Sequence, residues 1–196
     1  MAAKEDILEQ LAEEFLIHQG YFVRHNVKFL PRKDHPDFGH KLDSNHSDID
    51  VLGYHPHLRG PNRVWAVSCK SWQAGFNPIS KINEITLNKK IAGREAWKGF
   101  RELASPKWSE AFVAAIEEAT GQRQFTYVTA VTKLVGDCSI WENHPPFCKA
   151  MLNNPIKIIT LHEMLKAVDG KLKTTIAGTE LGRMVQLFRV AGVLQI

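Results

Sequence analysis

Ser47-Asp48-Ile49-Asp50-Val51-Leu52, followed by a Gly/Pro-rich turn and then Arg63-Val64-Trp65-Ala66-Val67-Ser68-Cys69-Lys70-Ser71-Trp72, is the stretch on which the fold turns. Both runs alternate or are β-branched and have strand length, and His55-Pro56-His57-Leu58-Arg59-Gly60-Pro61 between them is turn chemistry. Successive strand side chains point to opposite faces, so Asp48 and Asp50 share one face of the first strand, and Ser68 and Lys70 share one face of the second. Paired as a hairpin, the strands bring a carboxylate and an ammonium together beside a hydroxyl. Such a group suits a divalent metal and a water held against a phosphate.

On the N-terminal side, Ile7, Leu8, Leu11, Ala12, Phe15 and Leu16 fall at helical spacing, and Gly20 is placed to end the helix, which predicts an amphipathic helix over 4–19. Glu9, Glu13 and Glu14 lie off that stripe and read as solvated. A strand over 21–29 follows, then a polar loop over 31–45 that reads as mobile and adjacent to the site. Seven of the nine histidines precede residue 58, but no pair has a ligand spacing on a defined element. They read as loop residues that touch solvent or phosphate.

On the C-terminal side, Ser80 is expected to cap a helix reaching about Ile91. Lys81, Lys89, Lys90, Arg94, Lys98, Arg101 and Lys107 are interleaved with Trp97, Phe100 and Trp108. They read either as the polar and buried faces of two helices or as a phosphate-tracking surface with aromatic support. Further on come a helix over 109–120 closed by Gly121, a strand over 124–135, a short helix near 147–152 and a strand over 155–160. A helix over 161–168, capped by Thr160 with Glu163, and a last amphipathic helix within 179–193 complete the order. Three strands in an antiparallel meander, with a helical crossover returning a fourth parallel to the third, give an α/β fold, a mixed central β-sheet flanked by helices.

The chain has 196 residues, a length that suits one domain over 1–196, with 44% hydrophobic and 23% charged residues, as in ordinary soluble proteins. No apolar run approaches the roughly 18 residues that a membrane span requires, and the first residues are no signal peptide. Cys69, Cys138 and Cys148 are odd in number and read as reduced thiols in a cytoplasmic protein. A net charge of +4 leans toward a polyanionic partner.

Asp50-Val51-Leu52 on one strand and Ser68-Cys69-Lys70 on the next, in this element order, resemble the PD-(D/E)xK nuclease superfamily. Glu9-x-x-Ala12-x-x-Phe15-Leu16-x-x-x-Gly20-Tyr21 looks like the first helix and turn of its resolvase-like and Mrr-like branches. The motif match covers roughly residues 5–72, and the rest matches by element order alone. The resemblance implies a restriction endonuclease-like fold and an endonuclease that hydrolyses phosphodiester bonds of DNA with Mg²⁺ or Mn²⁺. It implies Asp50 as a metal ligand, the Cys69 carbonyl as a backbone ligand, Lys70 beside the attacking water and Glu9 on a metal-bound water. Asp48 is a reserve ligand or a plain strand-entry residue.

One position departs from the family. The triplet begins with an acid there and with Ser68 here, which removes a charge beside the metal. Some restriction enzymes with Ser-x-Lys recruit a glutamate from the next helix, and Glu84 follows Lys70 at that spacing. In that reading Glu84 is the second metal carboxylate and Ser68 a supporting hydrogen bonder. In the other reading the site is degenerate and the domain only binds nucleic acid. A third makes it an interaction protein that touches no nucleic acid. Lys81, Lys89, Lys90 and Arg94 are the expected phosphate contacts, no membrane is expected as a partner, and a homodimer is left open.

Overall fold

The computed structural model describes residues 6–41, 43–172, 177 and 179–193. Helix α1 (Ile7–His18) starts at Asp6, whose carboxylate accepts from the Leu8 amide. Strands β1 (Phe22–Phe29), β2 (Ser47–Tyr54) and β3 (Val64–Lys70) follow, then α2 (Pro78–Thr86) and a small hairpin of β4 (Lys90–Ile91) and β5 (Arg94–Glu95). After these come α3 (Arg101–Ala104), α4 (Pro106–Thr120), β6 (Thr126–Val131), α5 (Ser139–Glu142) and α6 (Pro145–Ala150). The order ends with β7 (Ile156–Thr160), α7 (Leu161–Lys171) and α8 (Glu180–Val190).

The main sheet runs β1-β2-β3-β6-β7. β1, β2 and β3 are antiparallel neighbours, while β6 lies parallel to β3 and β7 parallel to β6. The meander and the parallel return expected from the element order are therefore present, and the fold is mixed α/β with a five-stranded mixed sheet flanked by helices. One apolar layer joins Leu8, Leu11 and Leu16 of α1 to Val51, Val67 and Val128 of the sheet and to Met164, Val168 and Val185. The other joins Leu52, Ala66 and Tyr127 to Phe76, Phe100, Trp108, Phe112 and Trp141. No helix among the described residues is long and apolar enough to cross a membrane.

Several expectations need correction. Helix α2 is capped by Asn77 rather than Ser80 and stops at Thr86, so Lys89, Lys90 and Arg94 stand on the hairpin instead of a helix. Asn88 (φ 47°), Ala92 (φ 48°) and Gly93 (φ 80°) all have positive φ, which a helix cannot absorb; the consecutive pair Ala92-Gly93 makes the two-residue hairpin turn. Phe100 and Trp108 are buried in the core and offer no stacking face to a nucleic acid.

The polar loop that reads as mobile is anchored at Asp43. Asp43 is fully buried and accepts from the Gly39 amide, from Trp108 Nε1 at 3.1 Å and from Lys107 Nζ at 2.5 Å. Those donors hold its carboxyl below the usual range despite a burial cost that is the largest single influence. Glu14 is not solvated either. It is fully buried and accepts from the Thr179 amide at 3.0 Å and from the Thr179 hydroxyl, with His18 Nε2 2.9 Å away. Helical spacing in α1 separates an apolar stripe from the rest, but it carries no signal of a helix arriving from 165 residues along the chain.

Candidate active site

β2 and β3 are paired from Tyr54↔Val64 to Val51↔Val67 and separate beyond that point. Asp50 is the first residue past the last pair, and its Oδ2 accepts from the Cys69 amide at 2.6 Å. A side-chain carboxylate thus takes the place of a ladder bond, and the bond is charge-assisted. On the other flank Asn26 (φ 52°) interrupts the β1 ladder at the level of Asp50, between the pairs His25↔Val51 and Val27↔Ile49. Asn tolerates the left-handed region, and the strand changes phase there. Ile49 packs in the core beneath α4 and Val51 in the core beneath α1. Asp50 is therefore released from regular pairing on both sides.

On β3, Lys70 Nζ donates to Ser68 Oγ at 2.8 Å and stands 5.3 Å from the centre of the Phe100 ring. The shared face read from the alternation of Ser68 and Lys70 is present. Burial pushes the Asp50 carboxyl up to about 6, with Asp48 and Glu102 adding to the shift; Lys70 and the Cys69 amide oppose it. Asp6 Oδ2 accepts from the Ser71 hydroxyl at 2.5 Å, which ties the start of α1 to the residue after Lys70. Glu9 lies in that first helical turn, and burial, then Asp50, Asp6 and Asp48, push its carboxyl up to about 7 against a small pull from His25.

The Cys69 thiol is held far above its ordinary range by burial and by Asp50 and Glu9, so it stays protonated, and only the backbone of Cys69 enters the site. Burial, joined by Glu102, likewise holds the Tyr127 phenol well above its usual range. Glu84 is engaged within its own helix: Oε2 is 2.7 Å from Lys81 Nζ and Oε1 accepts from Ser80 at 3.3 Å. Lys81 in turn lies 4.5 Å from the centre of the Trp72 ring. Lys89, Lys90 and Arg94 are exposed on the hairpin. Of the histidines, His25 Nε2 lies 3.2 Å from Glu13, and His55 packs edge-on to Tyr21.

Sequence reading missed Glu102 and Tyr127. Glu102 is a buried carboxylate whose field reaches Asp50, and the Tyr127 hydroxyl donates to its Oε1 at 2.6 Å. The available signal was the parallel pairing of β3 and β6. Ser68 is level with Thr129, which puts Tyr127, two residues earlier, on the same face. Among the described residues no three His, Cys, Asp or Glu side chains are grouped to hold a metal ion. A groove of about 780 Å³ along α4, lined by Phe29, Leu103 and Val113, contains none of these site residues.

No protein-family model matches the chain, and neither the curated proteins nor the solved structures searched gave a match.

The two glutamates separate in one comparison. Should the site cut nucleic acid with a metal, Glu9→Gln is expected to lower the rate at least about tenfold, since its charge acts on Asp50. Glu84→Gln, whose carboxylate already has Lys81, is expected to stay within about twofold. Initial rates on plasmid DNA over a Mg²⁺ series check both; the opposite ranking would make Glu84 the second carboxylate.

Proposed function

We propose that the chain is a metal-dependent endonuclease of PD-(D/E)xK, restriction endonuclease-like build, hydrolysing phosphodiester bonds of DNA. The observation that carries this reading is the separated end of β2 and β3. There Asp50 is held by the Cys69 amide, Lys70 acts on it from the next strand, and Glu9 approaches from the first turn of α1.

The donor chemistry fits Mg²⁺ or Mn²⁺. Asp50 and Glu9 are hard oxygen donors, and both are destabilised as anions by burial, Asp50 also by Asp48 and Glu102 and Glu9 also by Asp50, a strain that a cation relieves. Mg²⁺ is commonly held by one or two protein carboxylates together with substrate phosphate, so a third protein ligand is not required. Asp50, Glu9 and the Cys69 carbonyl would hold the ion, with Asp48 in reserve. When bound, the ion supplies polarisation of the scissile phosphate and stabilisation of its developing charge.

The chain's own residues supply the rest. The Cys69 amide fixes Asp50 Oδ2 and so orients the carboxylate. Lys70, held by Ser68 above the Phe100 ring, orients the attacking water and carries charge toward the phosphate. The exposed Lys89, Lys90 and Arg94 would contact backbone phosphates from the hairpin, and a two-stranded ribbon fits a DNA groove.

A second reading keeps the nucleic acid and drops the chemistry. Ser68 in place of an acid, and the want of a three-ligand group among the described residues, favour it. Purified protein is expected to cut plasmid or single-stranded DNA in Mg²⁺ or Mn²⁺ and to stop when EDTA removes the metal. Binding without cutting would leave the second reading, and neither activity would sink both.

The hairpin has its own test. Replacing Lys89, Lys90 and Arg94 together with Gln is expected to weaken binding equally across DNA sequences. It should also flatten the slope of log K against log salt by about 2.7, at about 0.9 per lost phosphate contact. An unchanged slope would return the three residues to the solvated surface.

A further inference from the structure

Ile91 is 44% exposed and belongs to neither apolar layer. A hairpin of two-residue strands has no core of its own in which to bury a β-branched side chain. Ile91 and Arg94 are directly opposed in the ladder, so they stand on one face of the ribbon, with Lys90 and Glu95 on the other. The Glu95 carboxylate lies 2.8 Å from Lys98 Nζ and has its counter-charge at the base of the ribbon, while Lys89, Lys90 and Arg94 are exposed. A Cβ on Gly93 would have no other atom within 4 Å, so the turn stands clear of the rest of the fold.

The base is fixed where the tip is free. The Lys89 amide donates to the Glu84 carbonyl at 2.9 Å, and the Lys89 carbonyl accepts from the Ala96 amide at 2.8 Å. One foot thus rests on α2, whose Lys81 lies over the Trp72 ring, and the Trp72 amide donates to the Lys70 carbonyl at 3.0 Å. The other foot runs through the 3₁₀ turn Ala96–Gly99 into Phe100. The Phe100 ring lies 5.3 Å from Lys70 Nζ and 5.9 Å from the Trp72 ring. Both feet of the hairpin therefore end at Lys70.

Beyond Arg94, the tip Ile91-Ala92-Gly93-Arg94 has no side chain that hydrogen-bonds a base edge. Its two turn residues are the smallest there are, which suits the minor groove, about 6 Å wide, rather than sequence readout in the major groove. An aliphatic side chain beside a guanidinium is also what that groove takes. The cation follows its negative potential, and the apolar group enters between bases and kinks the duplex by roughly 20–90°.

We propose that the β4–β5 hairpin is a minor-groove arm, with Ile91 as its wedge and Arg94 beside it facing the groove, and that the substrate is a duplex bent close to Lys70. This rests on the DNA part of the nuclease reading and adds to it a groove, a substrate shape and one specificity-determining residue. Lys89, Lys90 and Arg94 attract every sequence alike. Ile91 favours the steps that unstack most readily, TA and CA.

The test uses the full chain in EDTA, so that binding is read without cutting, on a duplex carrying 2-aminopurine at a central TA step. The native chain is expected to raise its fluorescence at least about threefold, as unstacking does, and to bring fluorophores on the two duplex ends closer. Ile91→Ser is expected to abolish both signals and to lower affinity for this duplex about tenfold, to the level of an A-tract. The slope of log K against log salt should not change, since no cation is lost. Leu87→Ser removes a 65% exposed apolar side chain near the foot of the hairpin and is expected to alter none of these. If melting curves show that Ile91→Ser does not fold, Ile91→Thr keeps the β-branch and carries the same expectation.

A duplex bound but left straight and stacked overturns the proposal. So does a bend that survives the change at Ile91, or an equal loss from Leu87→Ser. A chain that binds no duplex removes the wedge and the DNA reading together. A chain that bends the duplex through Ile91 but cuts nothing in Mg²⁺ or Mn²⁺ keeps the wedge and removes the nuclease. One that cuts a duplex it does not bend does the reverse.

Discussion

Lys70→Ala is expected to lower DNA cleavage by about 10²- to 10⁴-fold, the range of a positioned proton-transfer group. DNA affinity and thermal unfolding are expected to change little. The Lys70 ammonium makes one hydrogen bond, to Ser68, lies against one aromatic face, and opposes the burial cost of Asp50. Its loss should cost the fold about 1 kcal/mol or less, because the freed Asp50 carboxyl relaxes by taking a proton. The loss of rate is not recoverable in that way, since a protonated Asp50 is a poor metal ligand. Lys70→Arg is expected to fail almost as badly, because a planar fork does not reproduce a compact point charge. Initial rates on supercoiled plasmid, with melting curves for each variant, decide the matter; normal cutting by Lys70→Ala would remove Lys70 from the site.

Asp50→Asn is expected to do two opposite things. Cleavage and metal binding should be lost, while the metal-free fold becomes more stable at neutral pH. The carboxyl of Asp50 is raised from 3.8 to about 6 in the folded chain, so folding disfavours its charged form. Such a group costs nothing below about pH 4, where it is protonated folded or unfolded, and its cost grows as pH rises toward 6. Asn keeps an acceptor for the Cys69 amide without the charge. The variant should gain about 3 kcal/mol over the native chain above pH 6, and the two should converge below pH 4. Glu9, raised from 4.5 to about 7, has the same sign and extends the native chain's decline to about pH 7. Mg²⁺ should raise the melting temperature of the native chain and not that of the variant. Equal stability at pH 4 and pH 7 for both chains would contradict the buried, crowded carboxylate described here.

What the sequence made legible were features carried by local pattern. Strand alternation located β2 and β3 and placed Ser68 with Lys70. The capping box of Thr160 and Glu163 is present as read, with bonds in both directions. The meander and parallel return followed from element order. What escaped depends on single residues or distant partners. Asn26 changes the phase of a strand by one positive φ, and no periodicity announces it. The β4–β5 hairpin has two-residue strands, too short for any pattern. Glu102 looked like any other charge in a basic stretch until Tyr127 was placed opposite it.

The burial of Glu14 also fixes an order of events during synthesis. Its carboxylate, on the first helix, is met by Thr179 at the start of the last one, and Gly182 of α8 comes so near that a Cβ there would stand 2.7 Å from Glu14 Cδ. A growing chain has already made Asp50 and Lys70 while Glu14 still faces water and α1, which carries Glu9, lacks part of its seat. The acidic wall of the site closes only after Thr179 has emerged from the ribosome. A site built this way is not fully seated until Thr179 has been made.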